Sequence, residues 1–276
     1  AASMTLDINN TDKLNLFRQE LHRLEFQVLG PDVNASAADF RVEDDKDGKA
    51  GVRYALAAVK NVGDAAMQLL VNERTLNGPY KDIADFAERV DSKAVNKRLM
   101  ENLVRAGAFD RLDGNRRKVF SGIETIMAQA NAAAQDRDSN QIGLFGGDAA
   151  PMPTITLRDV PDWSPIDRMK EEFDAVGFYL SGHPLDAYGK TLDNLKVRSS
   201  ADIIRSGHPG PVKMAGTVIG MKERTSGKGN RYAFIQLSDA SGIYEIMAFS
   251  ELLSVARALF EVGNLPFHYC ISCYEI

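Results

Sequence analysis

Cysteine is scarce in this chain: two in 276 residues, Cys270 and Cys273, forming a CxxC near the end. A structural zinc site needs four ligands, and neither a second CxxC nor a nearby His pair is present. A redox pair asks for a thioredoxin-like context that is also missing, so both are expected as strand cysteines in a reducing cytoplasm. Long apolar runs are absent. None approaches the ~18 residues of a membrane span, and no charged-then-apolar leader opens the chain. No Met stands at position 1, and AASMTLDINN reads as the middle of a longer protein. A large net charge is missing too, the formal value being −5. What remains, 44% hydrophobic and 26% charged residues, is an ordinary globular balance, with a length that suits two small domains.

The small net charge hides a pattern. Residues 50–120 carry 13 Lys and Arg against 9 Asp and Glu, and residues 196–276 carry 9 against 7. Between them, residues 121–190 carry 5 against 11, and residues 1–49 carry 6 against 10. Two modestly basic blocks separated by an acidic one suit phosphate-bearing partners with limited non-specific adhesion.

Helical spacing opens the chain: DKLNLFRQELHRLEF (12–26) puts Leu14, Phe17, Leu21 and Leu24 on one stripe, with Asn10 or Thr11 as N-cap. QVLGPDVN reads as a short strand and turn, Ser36 as the cap of a helical turn through SAADF, and EDDKDGKAG (43–51) as a loop. From 52 to about 130 the texture is helical, broken at Gly63, Gly78-Pro79, Gly107 and Gly114. Residues 136–165 hold glycines and prolines in the density of a linker. IDRMKEEFDAVGFYL (166–180) is one more helix, ended by SGHPL. Beyond 210 the period becomes two: VKMAGTVIGMKE, RYAFIQLSD and IYEIMAF are strands, followed by a helix at 251–263 and a last strand in LPFHYCISCYEI.

LAAVKNVGDAAMQLLV (56–71) predicts a helix, a tight turn and a second helix. Lys60, Asn61, Val62 and Gly63 would present backbone N–H groups at the positive start of that second helix, where a phosphate oxygen binds without sequence reading. A helix–hairpin–helix turn of this kind usually has Gly where Asn61 stands, and Asn is the best non-Gly tolerator of positive φ. A second unit follows in KAVNKRLMENLVRAGAFDRLDGNRRKVF, with the turn Ala106-Gly107-Ala108 and the basic opening Arg116-Arg117-Lys118. The bland alternative is an αα bundle whose glycines end helices.

The strand block fits an OB-like barrel, and Pro266, unwelcome in its last ladder, is expected to leave it incomplete. Lys222, Arg224, Lys228 and Arg231 flank a glycine-rich loop that can follow a phosphate chain. Tyr232 and Phe234 alternate with Ala233, Ile235 and Leu237, so one set fills the core and the other faces out, where aromatics stack on bases. The pattern leaves open which set is outside. Within the linker, QIGLF gathers Ile142, Leu144 and Phe145 behind Gln141, an apolar cluster with no core to join.

VRYALAAVKNVGDAAMQLLV, GPYKDIADFAERVD, NKRLMENLVRAGAFDRL, QIGLF, VGFYLSGHPLDAY and the final strands, in that order, resemble the bacterial DNA polymerase III alpha subunits, the C-family replicative polymerases. The resemblance covers nearly the whole chain. It implies an α+β multidomain fold: the end of the fingers (1–48), a tandem helix–hairpin–helix domain (49–130), a linker with a clamp-binding peptide (131–165), a helical connector (166–195) and an OB-fold domain (196–276). It further implies that Gln141 meets the rim of a sliding-clamp pocket while Ile142, Leu144 and Phe145 fill it. Burying Leu and Phe contributes roughly 1.5–3 kcal/mol each, less the cost of ordering the linker. DNA, duplex and single-stranded, the sliding clamp and other replicase subunits are the implied partners, in the cytoplasm. The family's palm carboxylates, which hold divalent metal (Mg) for nucleotidyl transfer, belong to an earlier part of its chain. No catalytic residue, metal ligand or cofactor is therefore expected in this segment, and it is expected to be inactive alone. The reading from residues alone keeps two other classes open: a stand-alone helix–hairpin–helix/OB module of repair or recombination, and a connector that binds nothing.

Overall fold

The computed structural model describes residues 1–44, 48–139, 155–206, 210–227, 229–260 and 271–273. The chain divides into two compact units, Ala1–Ser181 and Gly182–Ile276.

In the first unit, α1 (Ala2–Leu6) leads into α2 (Thr11–Arg23), whose N-cap Asn10 accepts from the Lys13 N–H at 3.1 Å. Leu14 is buried and Phe17 and Leu21 half-buried, as their stripe predicts. Leu24 is not on that stripe. Glu25 turns left-handed at φ 61°, Phe26 N–H reaches back to Leu21 O and Glu25 N–H to His22 O. This closing turn ends the helix and leaves Leu24 exposed.

Strands β1 (Gln27–Leu29), β2 (Arg41–Asp44) and β3 (Ala50–Arg53) form a sheet with β3 central, parallel to β1 and antiparallel to β2. The expected loop at 43–51 is thus part of a hairpin. β2 carries no alternation because backbone pairing and the Arg53–Glu43 fork, at 2.7 and 2.8 Å, hold it instead of a buried face. The expected division between 48 and 49 falls inside this hairpin, and one core runs from Met4 to Phe178. Ser36 caps no helix either; its hydroxyl accepts from the Asp32 N–H at 3.0 Å and closes a turn in the opposite direction.

The helices α3 (Asp64–Asn77), α4 (Ile83–Arg89), α5 (Lys97–Arg105), α6 (Arg116–Ser121) and α7 (Ile123–Ser139) follow. Each expected glycine break stands between helices: Gly63 immediately precedes α3 and gives it no side-chain cap, Gly78 (φ 85°) follows its end, and Gly107 and Gly114 lie between α5 and α6. Phe86 joins this core edge-on to Tyr80 and Phe109, with ring centroids at 5.1 and 4.9 Å. α7 runs nine residues past the expected end of the helical block at 130. AQANAAAQ is made of good helix formers, and Ala130 and Ala133 are small enough to be buried on it. Residues 155–164 lay Leu157 against Gly122 and Trp163 against Phe120. Ser164 then caps α8 (Pro165–Val176), which stops at Gly177 (φ 99°), earlier than the expected helix.

In the second unit a 3-10 turn (Pro184–Tyr188), α9 (Gly189–Asn194) and α10 (Ser200–Ser206) precede the strands. VKMAGTVIGMKE breaks at Ala215-Gly216 into β4 (Val212–Met214) and β5 (Thr217–Thr225). β5, β6 (Arg231–Asp239) and β7 (Gly242–Phe249) form an antiparallel meander, bulged between Val218 and Gly220. Its core face, with Val218, Ala233, Ile235, Leu237, Ile246 and Ala248, packs against Leu253 and Ala256 of α11 (Ser250–Ala256) and against Phe260. β4 pairs with β8 (Ile271–Cys273) as a separate ribbon. Asp239 ties the β6–β7 turn to α10 by accepting from Ser200 N–H (2.6 Å) and Gly242 N–H (2.7 Å). The architecture is the expected α+β one, and among the described residues the sheets are not closed, as in an incomplete OB barrel.

Candidate nucleic-acid interface

The first hairpin is shorter than its sequence suggests. Only Leu56–Ala58 forms a single 3-10 turn before it, because Ala55 and Val59 are extended on either side. The turn itself follows the expectation. Asn61 takes the left-handed conformation at φ 62°, one of three described non-glycine residues to do so. Val62 is buried, and its N–H donates to Val59 O at 3.2 Å. The Lys60 N–H donates to Ala175 O at 2.9 Å. The N–H groups of Asn61, Gly63, Asp64 and Ala65 have no acceptor among the described residues, all four residues are exposed, and α3 carries no side-chain cap. Those donors and the positive end of a 14-residue helix face solvent together. Lys60 does not point freely away. Its ammonium lies 5.9 Å from the centroid of the Phe173 ring, and burial pulls its pKa below the ordinary lysine value, against the opposing pull of Asp174.

The second hairpin is built differently. Ala108 N–H bonds Leu103 O and Gly107 N–H bonds Val104 O, with Gly107 at φ 85°. This is a helix-ending motif, the bland alternative for this stretch. Ala106, Gly107 and Ala108 are buried. Arg116, 7% exposed, covers the turn: it forks onto Asp110 with two 2.8 Å bonds and donates to Arg105 O at 3.0 Å. Arg117 is exposed, but its N–H donates to Asp162 Oδ1 at 3.1 Å. Lys118 pairs with Asp113 at 2.9 Å, a hydrogen bond that raises its pKa. The start of α6 therefore already has an anion, Asp162, and Arg116 is committed inside the fold. The structure brings this set together as an ion-pair network rather than an open phosphate cradle. Asp110 and Asp162, which make it so, carry no signal in the sequence as partners.

In the sheet of the second unit, the outward set is settled by burial. Ala233, Ile235 and Leu237 are buried, while Tyr232 and Phe234 face out, their rings 5.6 Å apart and edge-on. Register places Arg224 opposite Tyr232 and Lys222 opposite Phe234 on one side. Phe249 stands opposite Tyr232 and Met247 opposite Phe234 on the other. Directly opposed residues share a face, so these six form one exposed aromatic and basic surface. Phe249 (64% exposed) and Met247 (46%) were not among the expected residues. Their alternation with Ile246 and Ala248 in IYEIMAF is the signal for them. Arg231 is one residue out of phase and belongs to the opposite face. Lys228 and the clamp-binding set Gln141, Ile142, Leu144 and Phe145 lie outside the described residues. Among the described residues no group of three or more His, Cys, Asp or Glu is placed to hold a metal ion, and no helix is long and apolar enough to cross a membrane.

The hairpins and their flanking sheet define a helix–hairpin–helix protein: residues 25–119 match the family model described as a helix-hairpin-helix motif. The particular lineage follows from whole-chain similarity. The chain is 41% identical over 267 residues to the DNA polymerase III subunit alpha of Caulobacter vibrioides, 30% over 269 residues to that of Borreliella burgdorferi, and 32% over 283 residues to that of Pseudomonas aeruginosa. Each match covers 96% of this chain but only 23%, 23% and 24% of the relative. The chain is a segment of the DNA polymerase III alpha subunit family and carries a helix-hairpin-helix motif.

Proposed function

We propose that this segment holds nucleic acid for a replicative DNA polymerase and does not itself perform nucleotidyl transfer. The observation that carries this reading is the start of α3, where a left-handed Asn61 and four outward backbone N–H groups meet an uncapped helix end. One phosphate oxygen of a duplex backbone fits such a cradle without base reading. Asp64 in the first turn limits the net charge there, so one hairpin alone is a weak site. The sheet face of Lys222, Arg224, Tyr232, Phe234, Met247 and Phe249 supports a second role, taking single-stranded template by stacking and backbone neutralisation. The parent activity is DNA-templated DNA synthesis from deoxynucleoside triphosphates in the cytoplasm. Its divalent metal belongs to the palm, outside this segment. The sliding clamp, engaged by Gln141, Ile142, Leu144 and Phe145, and other replicase subunits complete the proposed partners. Tethering by DNA threaded through the clamp raises effective concentration, so each contact can be weak.

The test is fluorescence anisotropy of the full chain with a short labelled duplex and with a labelled single strand, over a salt series. Binding to both, falling steeply with salt, is expected. A chain that binds neither at low salt is a connector, and the proposal fails.

A further inference from the structure

The end of α8 packs against the first hairpin. Ala175 O accepts the Lys60 N–H at 2.9 Å, tying the hairpin turn to this helix. The Lys60 ammonium rests 5.9 Å from the centroid of Phe173, within cation–π range, and is half-buried there. One residue past the helix, Gly177 is left-handed at φ 99°. A β-carbon on it would stand 2.3 Å from Thr11 Cγ2 and 3.0 Å from Lys60 Cε. Only glycine therefore lets the α8 end, α2 and the hairpin lysine meet this closely. Next in the chain, Phe178 carries a second cation: Arg18 of α2 lies with its guanidinium carbon 5.7 Å from that ring's centroid. The notch at Gly177 is thus flanked by two rings, each carrying a basic side chain from another part of the fold.

We infer that Phe173 is a positioning residue for duplex binding: it fixes Lys60 against α8 and so sets the direction of positive charge at the residue that directly precedes the open N–H of Asn61. The inference rests on the proposed phosphate-binding role of that hairpin. A free lysine at the same place would spread its charge over many rotamers, and binding would have to restrict them. A lysine already held on a ring has lost most of that freedom. Burial also draws the Lys60 pKa down, so a release of the side chain returns it toward the ordinary lysine value.

A double-mutant cycle on the full chain tests this, read by anisotropy with a short duplex and controlled by the single-strand probe. Phe173→Leu keeps apolar bulk and removes the ring; it should weaken duplex binding about two- to fivefold with the salt slope unchanged, since no charge is lost. Phe173→Tyr keeps the ring and should restore wild-type affinity. Lys60→Ala should weaken binding and lower the slope by about one. Phe173→Leu added to Lys60→Ala should have no further effect, because the ring acts only through the lysine. Single-strand binding should stay constant throughout, and unchanged urea unfolding of each variant separates this effect from general unfolding. Additive losses, or an unchanged Phe173→Leu, overturn the inference while leaving the hairpin role intact. A wild-type chain with no duplex affinity overturns the hairpin role itself.

Discussion

The guanidinium of Arg116 occupies the space that a β-carbon on Gly107 would fill, with Nη2 2.1 Å from that position. The glycine is required twice, by this approach and by its φ of 85°. Gly107→Ala should therefore destabilise the chain by about 2–4 kcal/mol, from left-handed strain and overpacking together. Arg116→Ala should cost about 3 kcal/mol by leaving the buried Glu172 without its cation and Asp110 with Arg168 alone. Urea unfolding measures both. If Arg116→Ala is neutral in stability but lowers the salt slope of duplex binding, Arg116 is a phosphate ligand after all.

A second ion pair gives a pH dependence with a definite sign. Glu73 is forked onto Arg89 at 2.9 and 2.8 Å. Burial alone would raise its carboxyl, but hydrogen bonds from Arg89, Asn77 and Tyr80 outweigh this and leave the pKa below the ordinary 4.5. A carboxylate depressed in the folded state contributes stability that is full above its unfolded pKa and lost as pH falls through the folded value. The wild type should thus lose about 1 kcal/mol through this pair as pH drops below 4.5. Glu73→Gln should flatten that limb of the stability profile while leaving stability above it lower by the same amount. An acid limb unchanged by the substitution would show that other carboxylates control it.

On β6, neighbouring residues should separate binding from stability. Tyr232→Ala and Phe234→Ala remove outward rings and should each weaken single-strand binding by about 1–3 kcal/mol with little effect on unfolding. Ile235→Ala, one residue away but buried, should cost about 2–5 kcal/mol of stability. Anisotropy and urea unfolding on the three variants distinguish the faces. Single-strand affinity that survives loss of both rings would remove the stacking role of this sheet.

What the sequence made legible depended on how few residues can satisfy a local demand. The glycine breaks and Asn61 could be read because few residue types accept those backbone angles. The aromatic face of β6 was half legible: alternation separated two sets, but only packing against α11 says which is inside. The basic run Asn115-Arg116-Arg117-Lys118 was misleading, because successive helical residues point apart. Arg116 turns inward to Asp110, Arg117 outward, and Lys118 back to Asp113. Those partners are acids at unremarkable positions, brought close by tertiary packing. β2 was hidden for a related reason, since a strand held by backbone pairing and one Arg–Glu fork has no hydrophobic period to display.

The linker peptide makes the sharpest separation of partners. Leu144 and Phe145 have no expected role in DNA contact, and QIGLF is set among Gly, Ala, Asp and Ser, none of which competes for an apolar pocket. If the pair fills a clamp pocket, replacing both with Ala removes about 1.5–3 kcal/mol of burial per side chain. That is most of the affinity expected of a short tethered peptide, because ordering the linker opposes the contact. Calorimetry with a bacterial sliding clamp should therefore show heat of binding for the wild-type chain and none for Leu144→Ala/Phe145→Ala. Duplex and single-strand affinities measured on the same variant should be unchanged. Gln141→Ala, which removes a rim hydrogen bond and no apolar area, should weaken clamp binding by about tenfold or less. Clamp affinity that survives the double substitution would move the contact away from this peptide.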